Sequence, residues 1–154
     1  MNVFFSDEQD HPVDTSGMLE FAERVLSEEG LPESTEMAVL LVGREQIADY
    51  NERFMGRTGP TDVLAFPVED LSPGSIPRVA PEDPPLNLGD VFLCPVEIKE
   101  RAVAEGFEPN DFQYLLVAHG ILHLLGYDHE EDVAAELMER REDELLKLIG
   151  RSIG

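Results

Sequence analysis

Eleven residues, His119-Gly-Ile-Leu-His123-Leu-Leu-Gly126-Tyr-Asp-His129, constrain this chain more than any other stretch. They hold three of its four histidines. Side chains four apart lie one above the other on a helix, so His119 and His123 share a face. Phe112, Leu115, Leu116 and Leu122 fall on that same face, and the predicted helix therefore turns both imidazoles inward. Gly126 lets the helix stop and the chain turn back toward the pair, bringing His129 with it. A single histidine on an apolar face is usually a satisfied core residue. Two of them, each needing a partner and each resisting protonation when buried, are harder to place in that way. With the third at this spacing, the trio reads as a metal site. Three neutral imidazoles leave the fourth corner of a zinc tetrahedron open to water, the arrangement of a catalytic centre. The expectation is one Zn2+ per chain on His119, His123 and His129. Nickel, copper and iron also suit imidazole, but an iron facial triad would want a carboxylate in register, and none is there; zinc is the default. His11, before Pro12 in a polar stretch, stands outside the group.

The H-x3-H-x5-H spacing matches the metzincin pattern H-E-x-x-H-x-x-G-x-x-H, except that Gly120 stands where that pattern has its glutamate base. A zinc-bound water ionises near neutral pH, so hydrolysis is the reaction class, with His119 and that water as the catalytic centre. A peptidase needs a carboxylate to take the water's proton and pass it to the leaving amine. Gly120 cannot serve, so a peptidase or esterase would need a carboxylate from elsewhere in the chain. Phosphodiester cleavage does not require that glutamate.

The 154 residues are 42% apolar and 29% charged, as expected of one globular domain spanning residues 1–154. No apolar run approaches the length of a membrane span, and the first residues lack the basic and apolar regions of a signal peptide. Cys94 has no second cysteine to pair with, and a reducing cytoplasm is the simplest setting. The net charge of −22 is extreme. Such a surface repels nucleic acid in bulk, because affinity for RNA rests largely on cationic contacts to phosphate. An RNA substrate therefore requires that Arg44, Arg53, Arg57, Lys99 and Arg101 include a cluster near the histidines.

Strands are predicted at 3–5, 37–42, 63–66 and 89–94, where apolar and β-branched residues run between turn signals. Helical spacing of apolar residues predicts helices from about 18 to 26, 44 to 54, 95 to 105, 111 to 123 and 131 to 149. Asp14, Thr15 or Ser16 would cap the first, Asn110 or Asp111 the fourth, and an Asp128–Glu131 pair the last. Six prolines between Pro67 and Leu88 predict a long irregular loop, either a surface insertion or a lid. The fold class that follows is α+β, a small mixed β-sheet packed with helices, with a zincin-like metal helix.

Three blocks in order carry a family resemblance. The histidine block resembles the signature of the YbeY family of bacterial zinc-dependent endoribonucleases. Gly59-Pro-Thr-Asp-Val-Leu-Ala-Phe-Pro67 resembles that family's P-T-[DN]-V-L-S-F-P block, and Leu88-Gly-Asp-Val-Phe-Leu-Cys-Pro95 its L-G-D-I block. The resemblance implies cleavage of single-stranded ribosomal RNA, in small-subunit RNA 3′-end maturation and ribosome quality control. It also implies zinc on the three histidines, and small-subunit ribosomal proteins or assembly factors as partners. Two departures stand out. Met55 occupies the position of the family's usual arginine, so Arg53 or Arg57 would have to contact substrate in its place, and Ala65 replaces a common serine. Asp62 and Asp90 could orient a ligand imidazole from behind, or serve as turn and strand-entry residues. Two other readings stay open: a zinc hydrolase of another class, and a non-catalytic assembly factor whose acidic surface meets basic ribosomal proteins.

Overall fold

A computed structural model describes residues 1–153. Its elements follow the predicted order: β1 (Asn2–Asp7), α1 (Met18–Glu28), β2 (Glu36–Leu41), α2 (Arg44–Met55), β3 (Val63–Pro67), β4 (Asn87–Leu93), α3 (Pro95–Glu105), α4 (Pro109–Leu124) and α5 (Asp132–Lys147). The four strands form one mixed sheet in the order β1-β2-β4-β3. β1 and β4 run parallel to β2, and β3 runs antiparallel to β4 with Val63 opposite Leu93 and Ala65 opposite Val91. The fold class is α+β, as read from the sequence.

Alternation along the strands separates two faces. Met37, Val39 and Leu41 of β2, with Val91 and Leu93 of β4, are buried in the main core beside Phe21 and Val25 of α1 and Val117 and Ile121 of α4. On the other face α2 lays Ile47 and Tyr50 against Leu64, Phe66 and Phe92; the Tyr50 and Phe92 rings meet edge-on with centroids 4.9 Å apart.

Helix α4 departs from its expected form. It is buried on nearly every side, with Gln113, Val117, Ala118, Gly120, Ile121 and Leu124 enclosed as well as the predicted face. The sheet, α1, α3 and α5 all pack against it. It lies close against β4, where a Cβ at Gly120 would lie 2.5 Å from Cγ1 of the fully buried Val91. The helix can sit this deep only because position 120 carries no side chain.

The caps also differ from expectation. Gly17 precedes α1, while the Asp14 carboxylate accepts from the Ser16 N–H one turn upstream. Glu108, not Asn110 or Asp111, caps α4: its carboxylate accepts from the Asp111 N–H at 2.6 Å, and Pro109 takes the first helical position, where its missing N–H costs nothing. Glu131 precedes α5 without a side-chain cap, and Asp128 instead accepts from the Glu130 N–H within the preceding loop. The proline-rich segment is irregular only over 68–86, since Pro67 closes β3 and Asn87 and Leu88 already belong to β4. It is also packed down: Leu71, Ile76 and Val79 rest on the main core.

Gly120→Ala gains helix propensity of about 1 kcal/mol but drives a methyl into a stiff β-branched neighbour, for which overpacking costs about 1–3 kcal/mol. The expected outcome is a net loss of stability in urea titration. Gly120→Glu, which restores the metzincin residue, should fail to accumulate as folded protein.

Candidate metal centre

The three histidines come together. Their nearest ring nitrogens all lie within 4.8 Å of one another, with His119 and His123 half-buried on α4 and His129 exposed in the loop beyond it. Gly126 makes this closure possible. Its φ of 97° belongs to the left-handed region, and a Cβ there would fall 2.0 Å from the Leu71 carbonyl oxygen, so the turn between the second and third histidines lies directly against the backbone of the proline-rich segment.

Hydrogen bonds behind the rings fix which nitrogens face the centre. His123 Nδ1 lies 3.0 Å from the Tyr127 carbonyl oxygen, an acceptor only, so Nδ1 carries the proton and Nε2 a lone pair. His119 Nδ1 lies 2.6 Å from Glu142 Oε2; an ionised carboxylate holds the proton there in the same way. The two Nε2 atoms then face each other at 3.0 Å. With both rings neutral, no proton lies between them, and two lone pairs point at one spot. A tetrahedral zinc with Zn–N of about 2.0–2.1 Å would hold its nitrogens about 3.3 Å apart. The donor set fits a metal ion.

Glu142 is the residue the sequence reading missed. It comes from the middle of α5, 23 residues after His119, and is buried. The only signal in the sequence was one carboxylate among many on the predicted last helix. The candidates read for this role do otherwise. Asp62 is buried but bonds Arg101 at 2.5 Å, and Asp90 lies exposed on β4, opposite Phe66, away from the metal cavity. Tyr127 packs in the main core and contributes its carbonyl.

The histidines open onto a cavity of about 810 Å³ between β3, α4 and α5. Leu115, Leu116 and Met138 give it an apolar wall; Glu139 and Glu142 line it from α5. Of the five cations that an RNA substrate would call on, Arg57 and Arg101 line it. Arg44 is tied to Glu97 and Glu100, and Arg53 to Asp49 with its guanidinium over Phe54; neither they nor Lys99 reach the cavity. Arg53, the other cation read as a stand-in for the family arginine at Met55, thus lies outside the cavity lining. Arg57 makes no ion pair with any described residue, and it also borders the adjoining groove beside His123 and His129.

Burial, then the neighbouring His119 and His129, push the His123 pKa down from 6.5 to about 4. The unfolded chain therefore binds a proton at this position between those values that the folded chain does not. Folded stability is present above pH 6.5 and falls as pH drops toward 4. In metal-free protein the urea midpoint should decline across that window, and His123→Gln should flatten the decline. Equal pH dependence in both proteins would show that His123 is not its source.

Comparison with known proteins shows the family. The profile of a family described as Endoribonuclease YbeY matches residues 4–150. A protein named Endoribonuclease YbeY from Acidothermus cellulolyticus is 41% identical over 147 residues, covering 95% of this chain and 90% of its own. Its namesake from Salinispora tropica is 42% identical over 135 residues, covering 85% of each, and that from Mycobacterium tuberculosis is 37% identical over 147 residues, covering 96% and 82%. The solution structure of a Thermotoga maritima protein superposes with a TM-score of 0.57 at 25% identity, over 96% of this chain and 91% of the other. With a family profile matched across nearly its whole length and the histidine centre assembled, this chain belongs to the Endoribonuclease YbeY family.

Proposed function

We propose that this chain is a zinc-dependent endoribonuclease that cuts single-stranded ribosomal RNA in the cytoplasm. Its role is small-subunit RNA 3′-end maturation and ribosome quality control, with His119, His123 and His129 as the zinc ligands. The observation that carries the reading is the pair of Nε2 lone pairs converging at 3.0 Å, in a chain of this family. Zinc bound there supplies a water that ionises near neutral pH and a Lewis acid for a phosphoryl oxygen.

The protein's own groups have separable tasks. Glu142 holds the Nδ1 proton of His119, and the Tyr127 carbonyl holds that of His123, so both rings keep a free nitrogen and a fixed orientation. Gly120 supplies no base, and its position, aimed at Val91 rather than at the histidines, leaves no room for one. Leu115, Leu116 and Met138 lower the local dielectric and strengthen charge interactions in the cavity. Arg57, with no carboxylate partner, is the cation we assign to a substrate phosphate. The acidic surface suits basic small-subunit ribosomal proteins as partners.

Metal analysis should find one zinc per wild-type chain and little in His123→Ala, which should also lose cleavage of single-stranded ribosomal RNA. Glu142→Gln should bind zinc about 10–100-fold more weakly, measured by chelator competition, because the carboxylate behind a ligand histidine sets its orientation and basicity. A zinc-loaded wild-type protein that leaves such RNA intact sinks the ribonuclease reading.

A further inference from the structure

Among the described residues, the cavity beside the histidines has only two cationic side chains, Arg57 and Arg101, in a chain with eleven Lys and Arg and a net charge of −22. Arg57 comes from the loop between α2 and β3, and Arg101 from α3. They are held very differently. Arg57 is exposed and makes no ion pair with a described residue. Arg101 is fixed from three directions. Its Nη1 donates to Asp62 at 2.5 Å, its Nε to Glu105 at 3.3 Å, and its guanidinium lies 5.3 Å from the centroid of the Phe112 ring. Asp62 is buried while half of the Arg101 side chain remains exposed, so the carboxylate anchors an arginine whose head still faces the cavity. Its Nη2 donates to no described residue.

We infer that Arg101, oriented by Asp62, is a second phosphate-binding residue of the ribonuclease site, and that it and Arg57 together grip the backbone of single-stranded RNA in the cavity that holds the histidines. This rests on the ribonuclease reading above. A planar guanidinium with a free edge binds a phosphate oxygen in a fixed direction, and one already ordered by a buried carboxylate and an aromatic ring loses little freedom on doing so. The pairing also explains how so acidic a chain engages RNA at all. It places one arginine without an ion-pair partner and one with a free guanidinium edge at the concave surface that holds the three histidines, on a chain whose net charge of −22 repels RNA in bulk. Asp62 is thus a positioning residue, acting through Arg101 rather than on a ligand histidine.

The alternative is that Arg101 exists only to neutralise buried Asp62. Steady-state cleavage of a single-stranded oligoribonucleotide by zinc-loaded protein separates the two. Arg101→Ala should raise KM about tenfold, the usual worth of a charge-assisted hydrogen bond, with kcat within about threefold and zinc content unchanged. Each phosphate contact to a single strand contributes about −0.7 to the slope of log affinity against log salt. The slope of log(1/KM) should therefore be near −1.4 in wild type and shallower by about 0.7 in Arg57→Ala or Arg101→Ala. Arg101→Ala strands a buried carboxylate and can fail to fold, so the deciding protein is Asp62→Asn with Arg101→Ala, which leaves no orphaned charge. A raised KM and shallow slope in that double variant support phosphate binding. A wild-type KM in it, or an unchanged KM and slope in a folded Arg101→Ala, overturns the inference and leaves the ribonuclease reading standing. Absence of cleavage by wild type fells both.

Discussion

The contact between Gly120 and Val91 sets the depth of the central helix, and the site depends on that depth. With no Cβ at position 120, α4 lies against β4 closely enough for Val91 to fill the space. His119 and His123, about 100° and 60° around the helix from Gly120 and on the same side of it, then face the cavity. A larger residue would push the helix outward and move both imidazoles relative to α5, where Glu142 waits at 2.6 Å. The same contact that forms the core removes the position at which a metzincin keeps its base. Packing and chemistry are decided together at one residue.

Charge is arranged on the same economy. A chain at −22 spends most of its arginines locally: Arg24, Arg44, Arg53, Arg141 and Arg151 are each bound to carboxylates outside the cavity. The exposed pairs among them, those of Arg24, Arg44 and Arg53, contribute little stability, but all five remove cations from the surface available to an anion. What is left near the three histidines is Arg57, and Arg101 with one edge of its guanidinium free.

The order and type of every element were legible in the sequence, because apolar periodicity and the glycine and proline stops are local. The caps were not: Pro109 allowed α4 to begin before Asn110, and Glu108 reached forward to Asp111, a choice made by backbone geometry that several polar residues could equally have filled. The proline density between 67 and 88 correctly forbade regular structure over most of its length, yet gave no sign that Leu71 would lie against Gly126. That contact joins residues more than fifty apart and depends on a missing side chain.

By itself the sequence determined the α+β fold class and the histidine trio, since spacing along one helix and a glycine turn bring those three residues together with little help from the rest of the chain. Only the tertiary structure decided what surrounds them. Glu142 is brought to His119 by the packing of α5 on α4, Asp62 is turned to Arg101 rather than to an imidazole, and Arg57 rather than Arg53 reaches the cavity. The physical reason is range. Histidines within one helix and its following turn are placed by backbone repeat, whereas Glu142, Arg57 and Arg101 lie on other elements, and their distances to the trio exist only once the core has closed.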